Sequence, residues 1–217
     1  MHTVVRRASW EEGDDFVPLF LLSASFFKSF LKDTGRLERA LRLLFSRRNT
    51  LLSFEHTYFV LLGETKVGMA LGYRSGIRRK ESLRTGLLLG YSLGWQMMNT
   101  FSFWVSLGRA TRVDHPATYY LSNLAVSPEY QRKGFGKTLL AFMESEARKE
   151  DCRWIALDVE KENVFAIRFY ERLGYRITGE KTLLSRGRST HLYRMVKDLL
   201  EGNVSPECSF DRKVRGI

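Results

Sequence analysis

The chain has 217 residues, of which 44% are hydrophobic and 27% charged, and it contains only 4 prolines. This composition excludes a disordered or fibrous protein, and the length suits one domain of moderate size or one domain with an insertion. The formal net charge of +11 attracts anionic partners in general, but scattered surface charges select none of them.

Cysteine usage and the amino terminus indicate a compartment. Cys152 lies beside a predicted strand and Cys208 in a polar tail, and their spacing is typical of neither a disulfide framework nor a zinc site. We interpret both as free thiols in a reducing environment. Arg6 and Arg7 are followed by acidic residues without the apolar stretch of a signal peptide, so we expect a cytoplasmic protein.

The amino-terminal part of the chain predicts a strand, two helices and a hairpin. Ser9 is the candidate cap of the first helix, because acidic residues follow it in the first turn. The predicted elements are a strand from Thr3 to Arg7, helices from about Asp15 to Leu31 and from about Arg36 to Ser46, and two strands, Tyr58 to Leu62 and Val67 to Tyr73, around a turn at residues 63–65.

The carboxyl-terminal half alternates strands and helices. The predicted elements are a strand from Tyr119 to Val126, a helix from Gly136 to Lys149, a strand from Trp154 to Val159, a helix from Val164 to Leu173 that ends at Gly174, and strands near Tyr175 to Thr182 and Thr190 to Met195. Residues 1–200 therefore form a single predicted domain, and residues 201–217 are interpreted as a loosely ordered tail.

Residues from about 74 to 117 interrupt this pattern as an insertion. No charged residue occurs between Arg84 and Arg109, so the stretch is nearly long enough to cross a bilayer. Gln96, Asn99 and Thr100 interrupt it, and a span would cut the predicted sheet. We favour a helical lid or wall beside an acceptor site over an oligomer contact, such as a homodimer interface, and over a membrane-surface element.

The passage from Leu124 to Thr138 runs from a strand, through a loop, into a helix. Gly134 and Gly136 lie where the loop becomes the helix. Without a Cβ they let the backbone turn sharply and let an anion approach the free N–H groups of the first turn. The pattern indicates a phosphate-binding turn, and an ordinary turn that caps a helix is the alternative.

The end of a Walker A loop is also present, as Gly136-Lys137-Thr138. That motif needs a glycine five residues before its second glycine, and Gln131 occupies this position. We therefore exclude a nucleoside triphosphate site.

Two segments carry a family resemblance. Residues Gln131 to Gly136 (QRKGFG) resemble the Gln/Arg-x-x-Gly-x-Gly/Ala signature of the GNAT acetyltransferases, and the preceding Leu124 to Pro128 resembles that family's fourth strand. Asn163 to Tyr175 resembles the family's Asn-x-x-Ala-x-x-x-Tyr-x-x-x-Gly-Phe block, with a tyrosine in place of the usual final phenylalanine. The two segments occur in the family's order, and the resemblance covers about Tyr119 to Met195.

The resemblance implies an α/β (α+β) fold with a mixed, mostly antiparallel central sheet of about six to seven strands flanked by helices, here with a helical insertion between the third and fourth strands. It also implies acetyl-CoA as cosubstrate and no metal. By this resemblance, the amides of residues 132–137 hold the pyrophosphate, and strand residues 124–126 pair with the pantetheine arm. The implied coenzyme-binding residues are Leu124, Ala125, Val126, Gln131, Arg132, Lys133, Gly134, Phe135, Gly136, Lys137, Thr138 and Asn163.

Acyl transfer to an amine needs a neutral amine, a polarised thioester and a protonated leaving thiolate. Tyr170 shares a helix face with Asn163 at seven-residue spacing and is the expected acid; a packing tyrosine is the alternative. An N–H near Val126 is expected to polarise the thioester oxygen. Asp158 is the candidate base, at a position where relatives that act on protein amino termini carry a glutamate, with Glu160 as its rival and a solvated strand-end carboxylate as the alternative to both.

The expected function is transfer of an acetyl group from acetyl-CoA to a primary amine. A protein amino terminus, a lysine and a small molecule all stay open as acceptors. The alternative is a non-catalytic module that binds coenzyme A as a sensor or partner-binding domain, against which Asn163 and Tyr170 argue. The basic residues are dispersed without a reader motif, so we expect no nucleic-acid partner. His115 and His191 are isolated and are interpreted as non-ligands.

Overall fold

The fold is taken from a computed structural model that describes residues 2–24, 34–94, 105–109, 111–113, 115–185 and 188–200. Predictions for the end of the first helix beyond residue 24, for the middle of the insertion at residues 95–104 and for the tail at residues 201–217 lie outside these ranges.

A single sheet of seven strands organises the described residues. The strands are β1 (Thr3–Arg7), β2 (Thr57–Leu62), β3 (Thr65–Arg74), β4 (Thr118–Val126), β5 (Trp154–Glu160), β6 (Arg176–Ser185) and β7 (Arg188–Asp198). Their order is β1-β2-β3-β4-β5-β7-β6, in which the β4–β5 pair is parallel and the other five pairs are antiparallel. The predicted mixed, mostly antiparallel sheet is therefore confirmed.

Helices cover both faces of this sheet. They are α1 (Gly13–Ser23), α2 (Thr34–Ser46), α3 (Ser75–Leu93), α4 (Phe135–Lys149) and α5 (Val164–Arg172), and residues 105–109 are also helical. The insertion between β3 and β4 thus contains helices, as predicted. No helix among the described residues combines the length and apolar character that a bilayer span requires.

Two apolar cores form, one on each face of the sheet. Phe16, Leu37 and Phe45 of α1 and α2 pack against Phe59, Leu71 and their neighbours on one face, and α4 and α5 cover the other. The seven consecutive residues 67–73 of β3 are all buried, which is typical of a strand covered on both sides. Helix α3 packs outside α2, with Leu89 and Leu93 against Ala40 and Leu44.

The start of α1 corrects the prediction, and side-chain contacts fix its end. Glu12 rather than Ser9 occupies the position before the helix, and its carboxylate accepts a hydrogen bond from the Ser9 backbone N–H at 2.7 Å. This helix ends at Ser23, and the predicted continuation to about Leu31 falls outside the described residues. The Ser23 hydroxyl donates to the Phe20 carbonyl at 2.8 Å and accepts from Asn123 of β4 at 2.8 Å, which fixes the end of α1 against the sheet.

Candidate functional site

A cleft opens where β4 and β5 part. The two strands pair only over Thr118–Leu121 and Trp154–Leu157. Ser122 is an extra residue in the pairing of β4 with β3, because Leu71 pairs with Asn123 and Gly72 with Leu121. Such a bulge bends its strand, so the edge of β4 beyond Leu121 faces the cleft instead of β5. Its N–H and C=O groups can pair with an extended ligand.

Leu124, Ala125 and Val126, predicted to pair with a pantetheine arm, lie on this edge and line the cavity in the cleft. Gln131 and Asn163 line the same cavity. The structure therefore brings five of the predicted coenzyme residues to one site, whose volume is about 510 Å³.

The predicted phosphate-binding turn follows β4 directly. Gly134 has φ +91° and precedes α4, and no side chain caps the helix there. The first intrahelical hydrogen bond joins the Thr138 N–H to the Gly134 carbonyl at 3.0 Å, so the amides of Phe135, Gly136 and Lys137 remain for a ligand. A Cβ on Gly134 would meet no atom within 4 Å, which shows that the space above this turn is open.

Charge and backbone geometry at the turn both favour an anion. The first turn of α4 contains no acidic residue, and Arg132, Lys133 and Lys137 are exposed there. Arg132 has φ +61°, a left-handed conformation that is uncommon outside glycine. The Gln131 amide donates to the Val126 carbonyl at 3.0 Å and so ties the turn to the end of β4. The arrangement presents amides, a helix dipole and cations to the same space.

Asn163 and Tyr170 of the α5 region both line the cavity, together with Ala166 between them. The Asn163 side chain also begins the helix, because its Oδ1 accepts from the Ala166 N–H at 3.1 Å. Tyr170 is 9% exposed and packs between Phe169 and Tyr175. Burial raises the pKa of its phenol, and burial is the one cause of that shift. Among the described residues no side chain hydrogen-bonds this hydroxyl, so the proton stays available to a ligand.

Asp158 lines the cavity but its oxygens are already occupied. Arg194 of β7 donates to both of them, at 2.6 Å to Oδ1 and 2.7 Å to Oδ2, and the Tyr120 hydroxyl donates to Oδ2 at 2.9 Å. The two charged side chains are only 4% and 9% exposed. Taking a proton from an ammonium group would require one of these donors to be displaced, so the geometry favours an anchoring role for Asp158 over that of a base.

Glu160 lies two residues further along β5 and faces the same cavity. Burial raises the pKa of its carboxyl, and the neighbouring Glu162 adds to the shift. Unlike Asp158, it takes part in no ion pair with the described residues. The Glu160 carboxylate could therefore accept a proton without first breaking an ion pair.

A chain of hydrogen bonds follows the bulge in β4. The Ser122 hydroxyl donates to Asn123 Oδ1 at 2.9 Å. The amide of Asn123 continues the chain to Ser23. All three residues line the cavity, and the chain ties β4 to the end of α1 beside it.

The insertion covers the far side of the cavity. The guanidinium of Arg78 on α3 donates to the carbonyls of Gly108 and Thr111 and to the Thr111 hydroxyl. Arg194 and Lys181 both donate to the Arg112 carbonyl, at 3.2 and 3.1 Å. Residues 107–109 and 111–112 are thereby held between α3 and the β6–β7 hairpin.

Sequence reasoning missed Tyr73, Tyr120, Arg78 and Arg194. Arg194 carried a detectable signal, since it is the charged residue inside an otherwise apolar run, Leu192 to Val196, and buried charges are rare unless paired. The other three gave no signal. The hydrogen-bond partners of Arg78 and Tyr120 lie thirty or more residues away in the chain, and Tyr73 contacts Tyr120 of the neighbouring strand.

Comparison with known proteins agrees with the motifs. A family model described as "Acetyltransferase (GNAT) family" matches residues 21–175. The alanine N-acetyltransferase of ribosomal protein bS18 from Escherichia coli (strain K12) is 42% identical over 55 residues, or 25% of this chain and 37% of that protein. The spermine/spermidine N(1)-acetyltransferase of Bacillus subtilis (strain 168) is 36% identical over 62 residues, or 28% of this chain and 41% of that protein. The matched segments span about two fifths of these relatives' own lengths.

A solved structure extends the likeness to most of the chain. An N-acetyltransferase from Staphylococcus aureus Mu50 superposes with a TM-score of 0.70 at 14% identity, covering 89% of this chain and 99% of that one. At this identity the likeness concerns the fold.

Proposed function

Since the chain belongs to the GNAT acetyltransferase family, we propose that it transfers the acetyl group of acetyl-CoA to a primary amine by direct attack. The observation that carries this proposal is the buried Tyr170 hydroxyl, unpartnered among the described residues and facing the same cavity as the free edge of β4. A proton donor for the leaving thiolate and a strand edge that can pair with an extended coenzyme therefore share one cleft.

The coenzyme would bind from β4 to α4. Its pantetheine amides would pair with Leu124, Ala125 and Val126, and its pyrophosphate would receive the amides of Phe135, Gly136 and Lys137. The side chains of Arg132, Lys133 and Lys137 add positive charge around the phosphates. Because charge-assisted hydrogen bonds contribute roughly 1.5–3 kcal/mol each, these amides account for most of the expected anion affinity.

The acceptor would arrive from the side covered by the insertion. Glu160 takes a proton from the ammonium, directly or through water, and the neutral nitrogen attacks the thioester carbonyl. The C–N bond forms, the C–S bond breaks, and Tyr170 gives its proton to the departing thiolate. The new amide nitrogen loses its second proton through water, which restores the Tyr170 hydroxyl. Asp158 anchors Arg194 and Tyr120 around this centre instead of acting as the base.

Exchange of Tyr170 for phenylalanine tests the proposal. We expect Tyr170→Phe to lower kcat at least tenfold, measured as thiol release from acetyl-CoA, with little change in the coenzyme dissociation constant from calorimetry. Tyr175→Phe is the matched control, since Tyr175 is a buried neighbour whose hydroxyl bonds Glu144 and which does not line the cavity. Unchanged turnover in Tyr170→Phe would remove this residue from the mechanism.

The two matched relatives do not agree on an acceptor class. One matched relative is named for an alanine of a ribosomal protein and the other for polyamines. If the chain bound coenzyme A and released no thiol with any amine, a non-catalytic coenzyme-binding module would be the better description.

A further inference from the structure

The cavity continues from the reaction centre into an apolar chamber beneath the insertion. We define this chamber by Phe20, Leu41, Leu51, Leu52, Leu89 and Leu107, all of which line the cavity. They come from α1, α2, the segment between α2 and β2, α3 and the helical residues 105–109. Apolar side chains from five segments therefore converge on one space, two of them from the insertion.

Polar groups on the α3 wall of this chamber are already engaged. The Thr85 hydroxyl donates to the Glu81 carbonyl at 2.8 Å and accepts from the Leu51 N–H at 2.9 Å. The Arg78 guanidinium is bound to Gly108 and Thr111. These two side chains offer a ligand little beyond van der Waals contact, so the chamber favours hydrocarbon over polar groups.

Charge in the cavity is suited to a single ammonium group. The charged residues that line it within the described ranges are Arg78, Asp158 and Glu160. Asp158 is paired with Arg194, which leaves Glu160 as the carboxylate without an ion pair there. A second ammonium group, as in a polyamine, would enter the apolar chamber without a counter-charge, and burying an unpaired charge is costly.

We propose that the acceptor is a monoamine whose nitrogen is attached to a bulky apolar group, with that group bound in the chamber. This inference rests on the proposed acetyl transfer. Two sources share the required chemistry: a free arylalkylamine, and the amino end of a peptide that begins with a large apolar side chain.

Two glycines of α3 give a matched pair of variants. Gly86 lines the cavity and Gly90, one turn later, does not. A Cβ at either position would meet no atom within 4 Å, and neither has a positive φ. Leucine at either site raises helix propensity by a similar amount, so Gly86→Leu and Gly90→Leu differ chiefly in whether the new side chain enters the chamber.

The experiment compares kcat/KM for thiol release from acetyl-CoA with 2-phenylethylamine, a Leu-initiated peptide, an Ala-initiated peptide and spermidine. We expect the first two to exceed the last two by at least tenfold, and the ratio between the first two identifies the source. In Gly86→Leu, kcat/KM for the apolar amines should fall at least tenfold, while Gly90→Leu stays within about twofold of the parent, because small changes of apolar volume alter selectivity by about 10–200-fold.

A higher kcat/KM for spermidine than for the apolar amines would overturn the inference, and so would equal losses of kcat/KM in Gly86→Leu and Gly90→Leu. A loss in Gly86→Leu that occurs only with hexanoyl-CoA as the acyl donor would also overturn it, because it would place the acyl chain in the chamber. Calorimetry with coenzyme A and 2-phenylethylamine separates it from the proposed function. If the parent and Gly90→Leu bound the amine, Gly86→Leu did not, and no amine were acetylated, the chamber would stand as the amine-binding site and the proposed acetyl transfer would be rejected. Absence of binding in the parent would reject the chamber.

Discussion

The coenzyme side of the cavity and its insertion side are built by different means. From β4 to α5 the site is made of backbone: a bulged strand edge, a glycine turn and helix amides within about fifty consecutive residues. On the insertion side the site is held by side chains. Arg78, Arg194 and Lys181 bind the carbonyls of Gly108 and Arg112 through contacts that span 30 to 82 positions. Backbone sites leave motifs in a sequence, whereas side-chain sites leave scattered residues.

The largest expected effect comes from the ion pair that joins the two sides. Asp158→Asn leaves the buried Arg194 guanidinium without its counter-charge, and breaking a buried pair costs about 3–5 kcal/mol. We expect the free energy of unfolding, measured by urea denaturation, to fall by that amount. A loss below about 1 kcal/mol would show that the pair does not tie the insertion to the sheet.

The control for this variant is Asp14→Asn. Asp14 also accepts from an arginine Nε at 2.6 Å, but its side chain is 87% exposed. Exposed pairs contribute little, so we expect a loss of no more than about 0.5 kcal/mol. The comparison contrasts a buried carboxylate that accepts from three donor atoms with an exposed one that accepts from a single arginine Nε.

We expect Glu160→Gln to lower kcat/KM for the amine at least tenfold, which corresponds to roughly 1.4 kcal/mol. Burial raises the pKa of Glu160 above its ordinary value of 4.5. The ionised form is the base, so kcat/KM for the amine should fall as the pH drops through this raised pKa, and Glu160→Gln should remove that limb of the profile. Glu162→Gln, two residues away and exposed, is the control. It should keep the limb but move it to lower pH, because Glu162 contributes to the raised pKa of Glu160.

On the coenzyme side, Gly134→Val should raise the dissociation constant of acetyl-CoA about tenfold. Its side chain would enter the space in which the phosphates are proposed to lie, and φ +91° also strains a non-glycine residue. Gly63→Val controls for strain, since Gly63 has φ +61° in the β2–β3 turn and open space around it. Equal affinities for the two variants would place the pyrophosphate elsewhere.

The smallest effect is expected for Arg78→Met, which keeps the length of the side chain and removes its donors. The carbonyls of Gly108 and Thr111 lie near the surface and can turn to water, so we expect about 1 kcal/mol of lost stability. The KM for the amine should rise more than the coenzyme dissociation constant, as measured by initial rates and calorimetry. A larger rise in the coenzyme dissociation constant than in the KM for the amine would show that the two sides of the cavity do not bind different ligands.

Much of the fold could be predicted because local patterns decide it. The apolar face of α2, the β2–β3 hairpin and the alternation around β4, α4 and β5 all appear in the structure within one or two residues of their predicted bounds. The end of α1 could not be predicted, since it depends on Asn123, 100 positions away from Ser23. Ser9 was wrong as a cap because Arg6 and Lys66 hold Glu12 in place.

In the site too, features set by local sequence could be predicted and features set by distant contacts could not. The spacing from Asn163 to Tyr170 places both at the cavity, because a helix repeats locally. The role of Asp158 depended on whether a cation reached it, and Arg194 comes from β7, 36 positions later. Nothing in the residues around Asp158 distinguishes a free carboxylate from a paired one.

The glycines of α3 affect which helix unfolds locally first. Gly76, Gly86 and Gly90 each weaken this helix by about 1 kcal/mol relative to alanine, so contact with α2 must keep it folded. Amide hydrogens in α3 should therefore exchange with deuterium well before those of α4, through local fluctuations that leave the sheet intact. Helix α3, which forms one wall of the chamber, would then open locally without the rest of the molecule. A bulky amine could enter through this opening while acetyl-CoA remains bound.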